Sequence, residues 1–332
     1  MKSLNSFPSP RNSPSRSIAF FSFLALGLCA TSATSVASVE AQSRKQRIPV
    51  ASRTIECGTS VELRITSMEA TQGSLLLVEV RSAKPLASVK AEWNGAQLSF
   101  WESHQGQDLG TDIHRSLLGV DLEQAPGKYP LVITAQIADG AAVNCSETLT
   151  VTAGKFPTEK LQVSKEFVEP DPEQLARAKA ESQKLRDIYA ITTPERLWQG
   201  RFRLPLDGVT TGGNFGRRRV LNGQPGSPHT GVDFPSPTGT PIHAAQRGHV
   251  VIAEPLFFSG NTVLIDHGLG IYTLYGHLSK IDVKVGDLLD SGAVLGEVGA
   301  TGRVTGPHLH WGLTVNRAKV NALQIVKLLG VR

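Results

Sequence analysis

Between residues 48 and 154, apolar and polar positions alternate in short segments, at 61–66, 75–81, 89–93, 97–101, 117–122, 129–137 and 148–151. A period of two sends successive side chains to opposite faces of a strand, so each segment is predicted as a half-buried β-strand. The pair Asn94-Gly95 separates two of them and tolerates positive φ at both positions, which predicts a two-residue hairpin; Asp139-Gly140 makes the same case less strongly. The pattern changes at Asp171-Pro172, an N-cap residue followed by proline at the first helical position. It then runs to residue 190 with Leu175, Ala178, Leu185, Ile188 and Tyr189 near one stripe. One connector helix over 172–190 is predicted, docked on a domain, since the stripe lasts under three heptads. From Leu204 onward Gly, Val, Ile and Thr dominate and glycine turns recur at short intervals, which predicts short strands joined by tight turns, with a hairpin between 262–266 and 271–275 and His277 at a strand end.

The expected fold class is therefore all-β, with two β domains: an immunoglobulin-like sandwich at 48–154, a linker with its helix at 155–198, and an antiparallel β domain at 199–332. A chain of 332 residues, 40% hydrophobic, is long enough for both. The apolar run at 18–30 is about 13 residues, short of the roughly 20 that a bilayer span needs. With Lys2, Arg11 and Arg16 before it and small residues after it, it reads as the core of a signal peptide over residues 1–41. An exported protein is expected, in the periplasm or cell envelope, with no integral span once the signal is removed. If Cys29 leaves with the signal, Cys57 and Cys145 remain as an even pair for an oxidising compartment, and a disulfide between them is expected. A net charge of +5 names no partner by itself, and no nucleic-acid partner is expected.

Candidate chemistry is confined to the C-terminal region. His229-x-x-x-Asp233, His277 and His308-x-His310 are residue types that bind metal. Thr230-Gly231-Val232 and the following Pro235 disfavour a helix between the first two. In a straight strand, residues four apart stand about 13 Å apart, so a bend is required, and Gly231 permits one. His308 and His310 at i,i+2 share a strand face. Three ligands, His229, Asp233 and His310, leave a fourth tetrahedral position for water, the arrangement of a catalytic zinc. His104 and His114 read as surface or structural residues, His243 and His249 as structural ones, and His267 as a turn residue at the hairpin tip. Arg217, Arg218 and Arg219 read as a solvated basic run that could otherwise meet an acidic peptide.

These motifs resemble the M23 (lysostaphin/LytM-type) metallopeptidases, which cut peptidoglycan peptides. Further likeness lies in Asn214-Phe215-Gly216-Arg217, Gly260-Asn261-Thr262-Val263, Tyr275-Gly276-His277-Leu278 and Gly302-Arg303-Val304-Thr305-Gly306-Pro307-His308-Leu309-His310-Trp311, over roughly residues 202–316. The resemblance implies Zn2+ on His229, Asp233 and His310, a catalytic pair of His277 and His308, and a zinc endopeptidase acting on stem peptides or cross-links. Its rival is a non-catalytic module that binds peptidoglycan and activates a separate cell-wall amidase. Phe257-Phe258 departs from the family pattern and bears on the groove. Intramolecular regulation by the N-terminal domain or connector helix is a further expectation.

Overall fold

The computed structural model describes residues 52–103, 111–210 and 212–329; the segment at 1–41, expected to be a signal peptide, and His104 lie outside them. The N-terminal strands are β1 (Arg53–Cys57), β2 (Val61–Ile65), β3 (Glu69–Thr71), β4 (Leu75–Ser82), β5 (Leu86–Trp93), β6 (Ala96–Leu98), β7 (Trp101–Glu102), β8 (Asp112–Gly119), β9 (Gly127–Ile137) and β10 (Ala142–Thr152). They form two five-stranded sheets, in the orders β1-β2-β4-β8-β7 and β3-β10-β9-β5-β6. Inward residues of both sheets, among them Leu63, Val78 and Val80 from one and Ala91, Trp93, Leu131 and Ile133 from the other, make one core. That is the expected sandwich. Asn94 and Gly95 adopt φ of 46° and 76° and pair Trp93 with Ala96, as the hairpin requires. The segment predicted at 97–101 instead divides: Leu98 ends β6 in one sheet, and Trp101 opens β7 in the other. Period-two alternation cannot show that the chain crosses between sheets. Cys57 of β1 and Cys145 of β10 are bonded across the sandwich, with Cα atoms 5.5 Å apart and a sequence separation of 88. A loop of that length corresponds to roughly 4 to 5 kcal/mol in the chain-entropy account.

In the connector, β11 (Thr158–Leu161) precedes a helix at Pro172–Ala190. The Asp171 side chain accepts from the Gln174 backbone, and Gln174 reaches back to the Asp171 backbone, a reciprocal cap that sets the helix start. Leu185, Ile188 and Tyr189 pack on Ile252, Leu264 and Tyr272 of the C-terminal sheet. Leu175 stays 41% exposed, so the stripe docks through its C-terminal half.

The C-terminal strands are β12 (Arg218–Leu221), β13 (Gln224–Pro225), β14 (Gly231–Pro235), β15 (Pro241–His243), β16 (Gly248–Leu256), β17 (Gly260–Asp266), β18 (Ile271–Ile281), β19 (Leu288–Leu289), β20 (Val294–Val298), β21 (His308–Val315) and β22 (Ala318–Val320). The main sheet runs β14-β21-β18-β17-β16-β19, with β20 on β18 and β22 on β21. The predicted hairpin is β17 with β18, in the register Leu264 to Leu274. A short helix, Leu323–Leu329, follows the last strand. Leu75, Trp101 and Leu117 of the sandwich enter the same core as Trp198, Phe202, Val315 and Val320. Trp101 and Trp198 meet edge to face at 5.3 Å. The described residues accordingly form one compact unit. No helix among the described residues is long and apolar enough to cross a membrane.

Candidate metal centre

Antiparallel pairing of β14 with β21 places Asp233 opposite His310 and Pro235 opposite His308. Two of the five sequence candidates are thus cross-strand neighbours by register. His229 precedes β14, and its backbone N–H donates to Arg217. His229 thus stands outside the strand that carries Asp233, and the spacing of about 13 Å in a continuous strand does not apply between them. The reason for glycine at position 231 differs from the expected one. Gly231 needs no positive φ; a Cβ at this position would lie 2.5 Å from Cε1 of His310 and 2.8 Å from the Trp311 carbonyl. The residue leaves space for the imidazole opposite.

His229 Nε2 and His310 Nδ1 stand 2.8 Å apart, and each is 3.0 Å from Asp233 Oδ1. His229 Nδ1 donates to the Asn214 carbonyl at 2.9 Å, so its neutral ring turns a lone pair inward at Nε2. Three acceptor-type atoms then face one another, which calls for a shared proton or a cation among them. Ligands 2.0–2.1 Å from one zinc at tetrahedral angles are about 3.3 Å apart, so small side-chain rotations fit the set to that ion. Among the described residues this is the group of His, Cys, Asp and Glu with ligand atoms so gathered. Asp233 is buried, which opposes its ionisation, but the two imidazoles of His229 and His310 against it outweigh burial and hold its carboxyl far below the usual carboxylate range.

His277 does not stand at a strand end. It lies inside β18, where the pairing with β17 shifts register, and its φ is 68°. A non-glycine residue in left-handed conformation at a bulge re-aims its side chain, and such outliers gather at functional sites. His277 Nδ1 donates to the Thr301 carbonyl at 2.8 Å, which leaves Nε2 for the cleft. Gly260 holds that arrangement: its φ is 61°, and a Cβ there would collide with Thr301. His308 Nδ1 donates to the Gly306 carbonyl at 2.8 Å, and its Nε2 is 3.7 Å from Asp233 Oδ1. The His277 and His308 rings are 4.8 Å apart, and His277 is 5.8 Å from His310. Burial, followed by repulsion from His310 and His308, pushes the His277 imidazole well below its ordinary range. Burial likewise lowers His310.

The five candidates are therefore together, and three of them, Asp233, His277 and His308, line a cleft of about 260 Å³. Several of its residues had no role in the sequence reading. Arg219, expected in a solvated run, has a side chain only 16% exposed and an Nη2 3.8 Å from Asp233 Oδ2. Arg303 lies over the Phe258 ring at 4.6 Å. Glu159, Leu161 and Val163 line the cleft from the connector, because β11 pairs in parallel with β12. Asn214 and Thr301 supply the carbonyls that orient two histidines. A sequence signal existed for Asn214 alone: asparagine tolerates the left-handed φ of 74° found there.

The other histidines are apart from this cluster. His114 is buried in β8, 3.4 Å from Asp112. His243 Nδ1 donates to the Gly292 carbonyl, and His249 is exposed in β16. His267 does sit at the β17–β18 turn, but it is fully buried, with Nδ1 on the Arg247 carbonyl and Nε2 on Thr273 Oγ1.

Residues 227–322 match the model of peptidase family M23. Over 98 residues the chain is 47% identical to the peptidoglycan DD-endopeptidase ShyA of Vibrio cholerae, which covers 30% of this chain and 23% of that protein. Over 97 residues it is 41% identical to the DD-carboxypeptidase/endopeptidase Mpg of Neisseria meningitidis, covering 29% and 22%. The matched stretch thus spans about a quarter of those curated relatives. A crystal structure described as a peptidase M23 from Pseudomonas aeruginosa is similar over 79% of this chain and 96% of its own, with a TM-score of 0.58 and 29% identity. The cluster of His229, Asp233, His277, His308 and His310 falls wholly within residues 227–322, the stretch that matches peptidase family M23.

Proposed function

We propose that this chain is a zinc-dependent endopeptidase that hydrolyses peptide bonds in the stem peptides or cross-links of peptidoglycan. The observation that carries the reading is the meeting of His229 Nε2, Asp233 Oδ1 and His310 Nδ1 within 3.0 Å, beside two further imidazoles 4.8 Å apart. The relatives' names support peptidoglycan as the substrate class. His229, Asp233 and His310 would hold the ion, which when bound supplies a Lewis acid that polarises a carbonyl and brings the pKa of water toward 7.

The protein's own groups do the rest. Asn214 and Thr301 fix the tautomers of His229 and His277 by accepting from Nδ1, as second partners of metal-site histidines do. His277 and His308 each turn Nε2 to the cleft, one to take the proton of the attacking water and return it to the leaving amine, the other, as its imidazolium, to donate to the developing oxyanion. Arg219, opposite Asp233 Oδ2, holds the carboxylate in place. A non-catalytic module that activates an amidase would need neither the ligand set nor the histidine pair.

An exported, periplasmic location belongs to the same reading. The Cys57–Cys145 bond and the apolar run at 18–30 support it. Regulation by the connector is also part of it, though through β11, which lines the cleft, in place of the helix. The test is to incubate the mature protein with purified sacculi and separate the released muropeptides. Wild type is expected to convert cross-linked species to smaller ones and His277→Ala to leave them intact; identical profiles would overturn the proposal.

A further inference from the structure

Two guanidinium groups share the cleft with the catalytic histidines, and neither has a full complement of partners. Arg219 approaches Asp233 Oδ2 only to 3.8 Å, and its Nε is buried without a hydrogen bond. Arg303 has no carboxylate within 4.0 Å among the described residues; what it has is the face of Phe258. An aromatic ring serves the flat side of a guanidinium and leaves the in-plane N–H donors to be matched elsewhere.

The acids of the cleft are already committed. Asp233 Oδ1 faces His229 and His310 at 3.0 Å, and Glu159 Oε1 accepts from Arg217 Nη1 at 3.1 Å. That leaves Arg303 without an acid, and Arg219 with only the 3.8 Å approach to Asp233 Oδ2. Burial and repulsion by Arg219 bring Arg303 down to about 10, so it stays charged at neutral pH despite the cost of holding two like charges in one cleft. A ligand with an ionised carboxyl group would match both forks and relieve their repulsion.

We propose that Arg303, together with Arg219, forms a subsite for a free carboxylate of the substrate peptide, so that the enzyme selects peptides bearing an ionised carboxyl group close to the scissile bond. The inference rests on the endopeptidase reading for its substrate class but concerns recognition. It also gives Phe258 a task. The ring fixes the plane of the Arg303 fork, and fixed forks are what make arginine selective for carboxylates.

The experiment uses two synthetic stem peptides that differ only in that carboxyl group, free in one and capped as a carboxamide in the other. Calorimetry measures both on the full mature chain carrying His277→Ala, and kcat/KM is measured on wild type. The free acid is expected to bind and react about tenfold better than the amide. Arg303→Met is expected to bring both ratios to within about threefold, while Arg303→Lys keeps part of the preference. Thermal melting verifies that each variant is folded, and if Arg303→Met is not, Arg303→Lys decides. Equal binding of acid and amide, or an unchanged ratio in the Arg303 variants, overturns the subsite. Preferential binding of the acid with no cleavage of either peptide leaves the subsite standing and strikes the endopeptidase reading. Equal cleavage of both does the reverse.

Discussion

In the N-terminal sandwich, Glu79 is buried in β4 with Arg115 Nε 2.7 Å from one carboxylate oxygen and Arg81 Nη1 3.2 Å from the other, and Arg115 also donates to Ser103. In the C-terminal sheet, Asp233 is equally buried, but its neighbours are three imidazoles and one arginine at the edge of contact. Both acids sit on antiparallel strands with similar backbones. Around Glu79 donors meet acceptors and charge is balanced; around Asp233 acceptor faces acceptor, and His277 is held at positive φ. A satisfied buried group contributes to structure, whereas a cluster whose inward-facing atoms are all acceptors is arranged for something not yet bound.

The largest effect expected from this contrast is on turnover. His277→Asn keeps a residue that tolerates left-handed backbone and removes the proton acceptor. Activity on sacculi should fall roughly 10²- to 10⁴-fold, with stability within about 1 kcal/mol of wild type. A variant that lost several kcal/mol instead would make His277 a structural residue and erase the distinction. On the sandwich side the order reverses. Removing the Cys57–Cys145 bridge should cost roughly 4 to 5 kcal/mol in denaturant unfolding, with turnover per folded molecule unchanged. Glu79→Gln should cost about 3 kcal/mol, since two arginines lose their counter-charge, again without effect on turnover at a temperature where the variant is folded.

A smaller effect sharpens the comparison within the C-terminal sheet itself. His267 is satisfied by Arg247 and Thr273, as Glu79 is by its arginines, yet burial lowers its pKa from 6.5 to about 4. Between those values the unfolded chain binds the proton and the folded one does not, so stability falls as pH drops from 6.5 toward 4. At 1.36 kcal/mol per unit the loss approaches about 3 kcal/mol below pH 4. Denaturant midpoints across pH 4–7 should flatten in His267→Gln; an unchanged slope would assign the acid sensitivity to other groups.

Much of this was legible in the sequence where one local rule sufficed. The helix at Pro172–Ala190 followed from Asp171, Pro172 and a stripe, and the sandwich from period-two segments. The ligand trio was legible because residue type and spacing carry it. What depended on long-range pairing was hidden. Nothing local places Trp101 in a different sheet from Leu98, or β11 beside β12, and so nothing local brings Glu159 into the cleft. Arg219 read as one of three solvated cations because burial is a property of the assembled cleft. Gly231 was marked for the right place and the wrong reason, since the imidazole it accommodates, that of His310, comes from a strand 77 to 84 positions onward.

The central claim is that the cluster of inward-facing acceptors around Asp233 is a zinc site that drives hydrolysis. Its most direct test is a titration of metal-stripped mature protein with zinc while muropeptide release from sacculi is followed. Activity is predicted to be absent without metal, to rise linearly, and to saturate at about one equivalent per chain, with Asp233→Asn and His310→Ala inactive at that dose. Release that persists in the stripped protein, or saturation at the same point in both variants, would contradict it.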